Sequence, residues 1–390
     1  MNMLKRSWWK VLLSIVLVTV LVLWYSGKMY YIKALVYNYV NIDDLDLFYV
    51  RTVAAGKPQP WNIASDYNKK QLTPELRKTL EEYQSVAFLV VQNDSIRYEE
   101  YWDNYSANSL SNSFSMAKSI ISILIGIAHD EGKIKSLDQT ACEFLPDFCS
   151  PENKSVTIRQ LLMMSSGLNY DEGYSSLTSP VTRSYYDTDL RKQMMELKVI
   201  TQPGVSFNYM SANTQLLGFI LEKATGMTIS EYASEKLWKP IGAEHDAKWS
   251  LDHKDGSEKA YCCFYSNARD FARIGKLFLN KGKWNGIQVI SEDYVNAAVT
   301  PAPIADGDAP NTVYGYQWWL TSHEGMKVFY ARGILGQYIF VIPDKQLIFV
   351  RLGHKRGEKG PDGGLLDVPV YLNEVMKLYD TNAITETNIR

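Results

Sequence analysis

The chain has 390 residues, 46% of them hydrophobic and 22% charged, which supplies a sizeable apolar core and excludes a largely disordered protein. Lys and Arg (41) nearly balance Asp and Glu (43), so the net charge of −2 excludes the broad basic field of a nucleic-acid binder. Four cysteines are too few for a disulfide-built fold, and the length fits one large domain or two to three ordinary ones.

The first element is an apolar segment. Lys5, Arg6 and Lys10 precede a run from Val11 to Tyr25 that is broken only by Ser14 and Thr19, and Trp8, Trp9, Trp24 and Tyr25 stand where interfacial aromatics would. Counted from Trp8 to Ser26, with Lys10 snorkelling, the stretch is long enough for a transmembrane helix. A cleaved signal peptide is the alternative, but Trp24 and Tyr25 occupy the positions where cleavage wants small residues. With the basic flank on the N-terminal side, both readings put the rest of the chain outside the cytoplasm: membrane-anchored, or secreted if the segment is removed. Residues 1–27 are thus read as anchor or signal, and 28–61, which ends in Gly56-Lys57-Pro58-Gln59-Pro60, as a tether.

A hairpin is expected next, Val86 to Gln92 and Ser95 to Tyr101 around Asn93-Asp94, followed by a helix from Ser113 to Glu131 that Gly132 closes. From about 130 to 255 the signals are mainly helical, clearest at Asn213 to Thr225 and Ile229 to Leu237, with Ser/Thr/Tyr-rich loops around Ser175 to Thr188. Another helix, Ala268 to Asn280, precedes a turn at Lys283 to Gly286. Strand-like runs follow at Tyr314 to Leu320, Met326 to Ala331, Gln337 to Ile342 and Gln346 to Leu352, and a last helix at Val368 to Tyr379. Strands at both ends with helices between predict an α/β domain of α+β type over 62–385: an antiparallel sheet flanked by helices, with a mainly helical subdomain inserted and a transmembrane helix in front. Cys142 and Cys149 are close enough to pair in an exported protein, whereas the adjacent Cys262 and Cys263 are expected to be two buried thiols.

The sequence holds no G-x-S-x-G elbow, H-E-x-x-H or P-loop, and its five histidines follow no metal-ligand pattern, so neither metal nor organic cofactor is implied. It does hold Ser115-Met116-Ala117-Lys118 at the start of an apolar helix. Residues three apart share a helix face, so the amine reaches the hydroxyl; a serine needs such a base to become a nucleophile. A lysine is ordinarily a poor base at neutral pH, and the apolar setting promised by Ile120, Ile121, Ile123 and Leu124 favours its neutral form. The Ser115 N–H, in the first turn, is placed to meet an oxyanion. Chance alone supplies such pairs, as Ser7-Trp8-Trp9-Lys10 shows, and the rest of the sequence has to decide.

Ser113-Phe114-Ser115-Met116-Ala117-Lys118-Ser119 is followed by Thr157 to Gly167 (TIRQLLMMSSG), Pro203-Gly204-Val205-Ser206-Phe207-Asn208-Tyr209, Leu216-Leu217-Gly218 and Asn267 to Gly275 (NARDFARIG). In order and spacing these stretches resemble the serine β-lactamase-related superfamily, which includes class C β-lactamases, penicillin-recognising peptidases, family VIII esterases and aminohexanoate-oligomer hydrolases. The resemblance runs from about Val86 to Leu352. It implies Ser115 as nucleophile, Lys118 and Tyr209 as acid/base groups, and backbone oxyanion donors at Ser115 and Ile334, with Gly333 allowing close approach. The second motif carries Ser211 where the family has Asn, and the third reads Ala331-Arg332-Gly333 without the cationic first residue that helps hold a β-lactam's carboxylate. Tyr-x-Ser, the Cys-Cys pair and Gly-x-x-Gly-Gln at Gly333 to Gln337 are closest to 6-aminohexanoate-dimer hydrolases. The expected activity is hydrolysis of a small amide or ester; a peptidoglycan- or β-lactam-acting enzyme and a non-catalytic binding protein of the same fold are the alternatives. Tyr170, Arg332 and Trp318 or Trp319 are candidates to line a substrate cleft, and Asp270 and Arg273 an intrahelical pair.

Overall fold

The computed structural model describes residues 2–37, 39–174, 176–360 and 363–380; the expected domain end at 385 and Ser175 of the Ser/Thr/Tyr-rich loop lie outside them. A seven-stranded sheet forms the frame, in the order Trp319–His323, Met326–Gly333, Gln337–Ile342, Leu347–Gly353, Ser85–Gln92, Ser95–Tyr101, Asn62–Ile63. All neighbours are antiparallel except the last pair. The N-terminal hairpin therefore docks beside the last strand of a C-terminal meander, and the two ends of the domain build one sheet.

Every residue of Ser85–Gln92 is buried, because both faces of this central strand are covered. Alternation divides them: Ala87, Leu89 and Val91 face the larger core with the helices Met116–Asp130, Ser211–Thr225 and Ala268–Leu279. Phe88 and Val90 face a second core roofed by Pro74–Glu82 and Asp367–Tyr379. Helix Ala268–Leu279 comes close to the sheet through Gly275, where a Cβ would stand 2.9 Å from Ile348 and 3.1 Å from Ile339. Helix Met116–Asp130 is buried from Met116 through Ala128, as a helix enclosed on all sides requires. The inserted region carries the helices Ala141–Phe144, Ile158–Leu162, Pro180–Tyr186, Leu190–Met195, Ser211–Thr225 and Ile229–Ala233, the last running into a π turn at Ser234–Trp238.

Four expectations need correction. Residues 28–61 are not a tether. Helix Tyr30–Tyr37 buries Tyr30 and Ala34, Ile42 and Trp61 are buried further on, and Val50–Val53 pairs with Ala247–Ser250 in a second, four-stranded sheet. The polar, Tyr-rich composition that reads as a linker conceals apolar residues spaced one turn or one strand apart. The first C-terminal strand starts at Trp319 rather than Tyr314, because Gln317 turns into the left-handed region (φ 64°) and its side chain donates to the Leu161 and Leu162 carbonyls. The loop before Thr188 contains helix Pro180–Tyr186, started by Ser179 as N-cap and Pro180 in its first turn. Cys262 and Cys263 are joined to each other, and Cys142 to Cys149. At the N-terminus a helix spans Asn2–Tyr25; its 18 residues from Trp8 to Tyr25, mean hydropathy 2.0, are long and apolar enough to cross a membrane, and none of them is buried.

Candidate active site

Ser115 is the N-cap of helix Met116–Asp130, and the turn before it is held open by strain. Phe114 has a φ of 43°, costly for a bulky side chain. The surroundings hold it there: Asn112 Oδ1 accepts from the Phe114 N–H at 2.9 Å, and the Ser113 N–H donates to the Phe264 carbonyl at 2.8 Å. The Ser115 N–H forms no hydrogen bond among the described residues and lies at the positive end of a 15-residue helix.

One turn on, Lys118 is 1% exposed. Its Nζ lies 3.0 Å from Ser115 Oγ and donates to Ser211 Oγ (3.1 Å) and to the Tyr261 carbonyl (2.9 Å). Ser211 opens helix Ser211–Thr225, and its own proton goes elsewhere: Oγ donates to Glu172 Oε1 at 2.6 Å while its N–H donates to Glu172 Oε2 at 2.7 Å. Tyr174 also donates to Glu172 Oε1, at 2.6 Å. A hydrogen-bonded line thus runs from Ser115 through Lys118 and Ser211 to a carboxylate at a helix N-terminus, where the helix dipole favours negative charge.

Tyr209 stands beside this line, its ring centroid 5.1 Å from Lys118 Nζ and its hydroxyl bonded to no described residue. It leans on Trp319 (5.5 Å between centroids), and the Arg332 guanidinium covers the same indole at 3.5 Å. These three wall a cleft of about 870 Å³ that Ser115, Glu172, Gly333 and Ile334 also line. Gly333 is the last residue of its strand still paired, opposite Gln337, and a Cβ there would lie 2.3 Å from the Ser113 carbonyl. Only glycine lets the strand reach the serine turn, and Ile334 follows at its end.

Ser115, Lys118, Tyr209, Ser211, Arg332, Gly333 and Ile334 are therefore brought together; Tyr170 and Trp318 are not. Tyr170 is 5% exposed and bonds Ser184 at 2.9 Å in the core. Its burial pushes the phenol well above the ordinary tyrosine value. Trp318 is wholly buried on Phe278, 4.4 Å away, and it is the next residue, Trp319, that reaches the cleft. In the half-turned strand entry after Gln317, one residue of slip exchanges core for cleft. Glu172 and the Tyr261 carbonyl carry no sequence signal: the first lies in a loop 39 residues from Ser211, and the second is backbone. Arg273 Nε meets Asp270 Oδ1 at 2.8 Å, a buried pair far from this chemistry in role. Among the described residues no group of three His, Cys, Asp or Glu is arranged to hold a metal.

The family model described as Beta-lactamase matches residues 75–368. The 6-aminohexanoate-dimer hydrolase of Paenarthrobacter ureafaciens is 29% identical over 296 residues, covering 72% of this chain and 75% of that protein. Among solved structures, a Bacillus anthracis protein provisionally named 6-aminohexanoate-dimer hydrolase superposes with a TM-score of 0.72 at 21% identity, over 88% of this chain and 93% of its own. A family VIII carboxylesterase gives 0.61 at 16% identity, over 80% and 98%. At such identities the solved structures speak for the mixed α/β fold, and the sequence matches carry the rest. The chain belongs to the Beta-lactamase family and is a serine hydrolase.

Proposed function

We propose that this protein is an exported, membrane-anchored serine hydrolase that cleaves a small-molecule amide or ester through an acyl-enzyme on Ser115. The observation that carries the reading is how the contacts of Lys118 are divided. A carbonyl oxygen can only accept, and Ser211, whose proton is committed to Glu172, must accept from Lys118. Two amine hydrogens are spoken for, and the third direction, at 3.0 Å, points at Ser115 Oγ. A neutral amine so placed turns its lone pair to the serine proton, the geometry a general base needs.

In the first half-reaction Ser115 Oγ attacks the carbonyl carbon and gives its proton to the Lys118–Tyr209 pair, while the Ser115 and Ile334 N–H groups receive the oxyanion. Tyr209, open to the cleft, protonates the departing amine or alcohol. Water then attacks the acyl carbon with the same groups acting in reverse. The full-length chain should hydrolyse p-nitrophenyl butyrate, and Ser115→Ala should lower kcat/KM by roughly 10³-fold or more. A folded Ser115→Ala protein that keeps the activity overturns the scheme.

Arg332 favours a second reading, since a guanidinium in the cleft could meet the carboxylate of a penicillin or peptide although Ala331 cannot. Covalent labelling of Ser115 by a fluorescent penicillin would support it. The anchor reading rests on the apolar helix, with basic residues before it and aromatics at both ends, and a Cys142–Cys149 bond fits an oxidising compartment.

A further inference from the structure

Ser115 lines two cavities. The cleft that holds Tyr209 carries Glu172, Asp306, Arg332, Arg356 and Lys359 on its walls. The second, of about 780 Å³, meets it at Ser115, Tyr174 and Ile334 and is lined by no Asp, Glu, Lys or Arg among the described residues. Its apolar walls are Ala34 of helix Tyr30–Tyr37, Phe114, Val181, Tyr185 and Leu335, all but the last of them buried, and Asn41, Gln84, Thr182 and His354 are its main polar side chains. Tyr39 and Leu177, 82% and 40% exposed, form its rim, and Leu35 and Val36 lie exposed beside Ala34 on the same helix. That helix begins five residues after the apolar span Trp8–Tyr25 ends. The cavity therefore opens between this helix and Ser115, lined by apolar and uncharged polar side chains and by His354, while the helix itself also carries the exposed Lys33. Its volume is within the range of small-molecule sites.

We infer that this uncharged arm holds the acyl chain of the substrate, so that the enzyme acts on esters or amides of medium- to long-chain carboxylic acids. The inference rests on the acyl-enzyme reading above. Tyr209 lines the charged cleft and not the uncharged arm, so the group it protonates departs through the cleft. The acyl half, still bonded to Ser115, is left the other direction. In the first step the Ser115 Oγ–carbon bond forms, the bond from carbon to the leaving oxygen or nitrogen breaks, and the leaving group takes up a proton. In the second, water's oxygen bonds to the acyl carbon, the Ser115 Oγ–carbon bond breaks, Ser115 Oγ takes up the proton that water gives up, and the free acid leaves by the uncharged arm.

The test uses the full-length chain in phosphatidylcholine vesicles with p-nitrophenyl esters from acetate to decanoate. Each methylene that enters the arm should raise kcat/KM by about fourfold until the arm is filled. Val181→Trp, which narrows the arm, should lower the decanoate-to-acetate ratio at least tenfold, and Leu177→Asp, which puts a charge on the rim, should lower it too and carries the test should the first variant fail to fold. Wild type and variants meet the same partitioning of ester into the bilayer, so the ratio between them reports on the arm. A Ser115-dependent series that is flat or falling with chain length, or a ratio both folded variants leave unchanged, overturns the acyl arm and leaves the serine-hydrolase reading standing. Turnover that is absent or independent of Ser115 throughout overturns that reading and the inference with it.

Discussion

Around Lys118 the decisive choice is made by a residue that never touches it. A hydroxyl can donate or accept, and Ser211 would serve Lys118 equally well in either sense were Glu172 not there to take its proton. The carboxylate fixes the direction of the Ser211–Lys118 bond and so leaves the remaining direction of the amine to Ser115. Glutamine at 172 keeps the shape but can accept on one side only, so either the Ser211 N–H or its hydroxyl loses a partner. Hydrogen bonds to charged groups are worth about 1.5–3 kcal/mol. Glu172→Gln should accordingly lower kcat about ten- to a hundredfold on p-nitrophenyl butyrate and move KM by less than about threefold, since the substrate's carbonyl is held elsewhere. An unchanged kcat in a folded variant would show that Ser211 needs no such direction.

Two elements meet at Ser115, the end of strand Met326–Gly333 and the turn that begins helix Met116–Asp130, and a single missing Cβ lets them. With a methyl group at 333 forced to within 2.3 Å of the Ser113 carbonyl, the strand end must back away and carry the Ile334 N–H with it. Gly333→Ala should cost roughly 10²–10³-fold in kcat, the scale of one lost oxyanion donor, and lower the thermal midpoint by several degrees; Gly132→Ala, in the open at an exposed helix end away from the cleft, should lose stability through its positive φ but keep kcat and so serves as the control. Equal activity in the two variants would mean the strand end is not part of the chemistry. Much at this scale could be read in the sequence, because burial leaves a periodic trace: the hairpin, the last three strands of the meander and the helix that follows Ser115 fall within a residue or three of the expected limits. The failures are equally physical. Gln317 breaks a run of strand-forming residues by satisfying distant carbonyls, and the nearness of Cys262 to Cys263 reads alike whether they are thiols or bonded.

At the scale of the whole molecule, what the sequence hides is contact between distant segments. Ser115, Lys118 and Tyr209 came from a motif, but Glu172 joins the site from a loop, and the segment after the apolar span joins the domain through a few apolar side chains that its polar composition hides. One such junction sets a pH dependence. Arg51, on the strand Val50–Val53, meets the buried Glu258 at 2.6 Å, and Glu222, near the end of helix Ser211–Thr225, lies close to the same carboxylate. Burial and the charge of Glu258 push the Glu222 carboxyl up to about 8 from an ordinary 4.5. The folded state then keeps a proton that the unfolded chain has lost, so stability is full below about pH 4.5 and falls as the pH rises to about 8. Asp66 and Asp138, held below the ordinary carboxylate range by hydrogen bonds from Arg97 and Arg159, slope the other way, and only on the acid side of that window. Glu222→Gln keeps the shape and the neutral state at every pH. Its thermal midpoint should stay close to that of the parent at pH 5 and exceed it at pH 8.5 by roughly 2–3 °C, the equivalent of about 2 kcal/mol in a chain of this size. Melting curves of both proteins at half-unit steps from pH 5 to 9 would decide it: curves that stay parallel throughout would mean that Glu222 is ionised in the folded protein and that Arg51 balances both carboxylates.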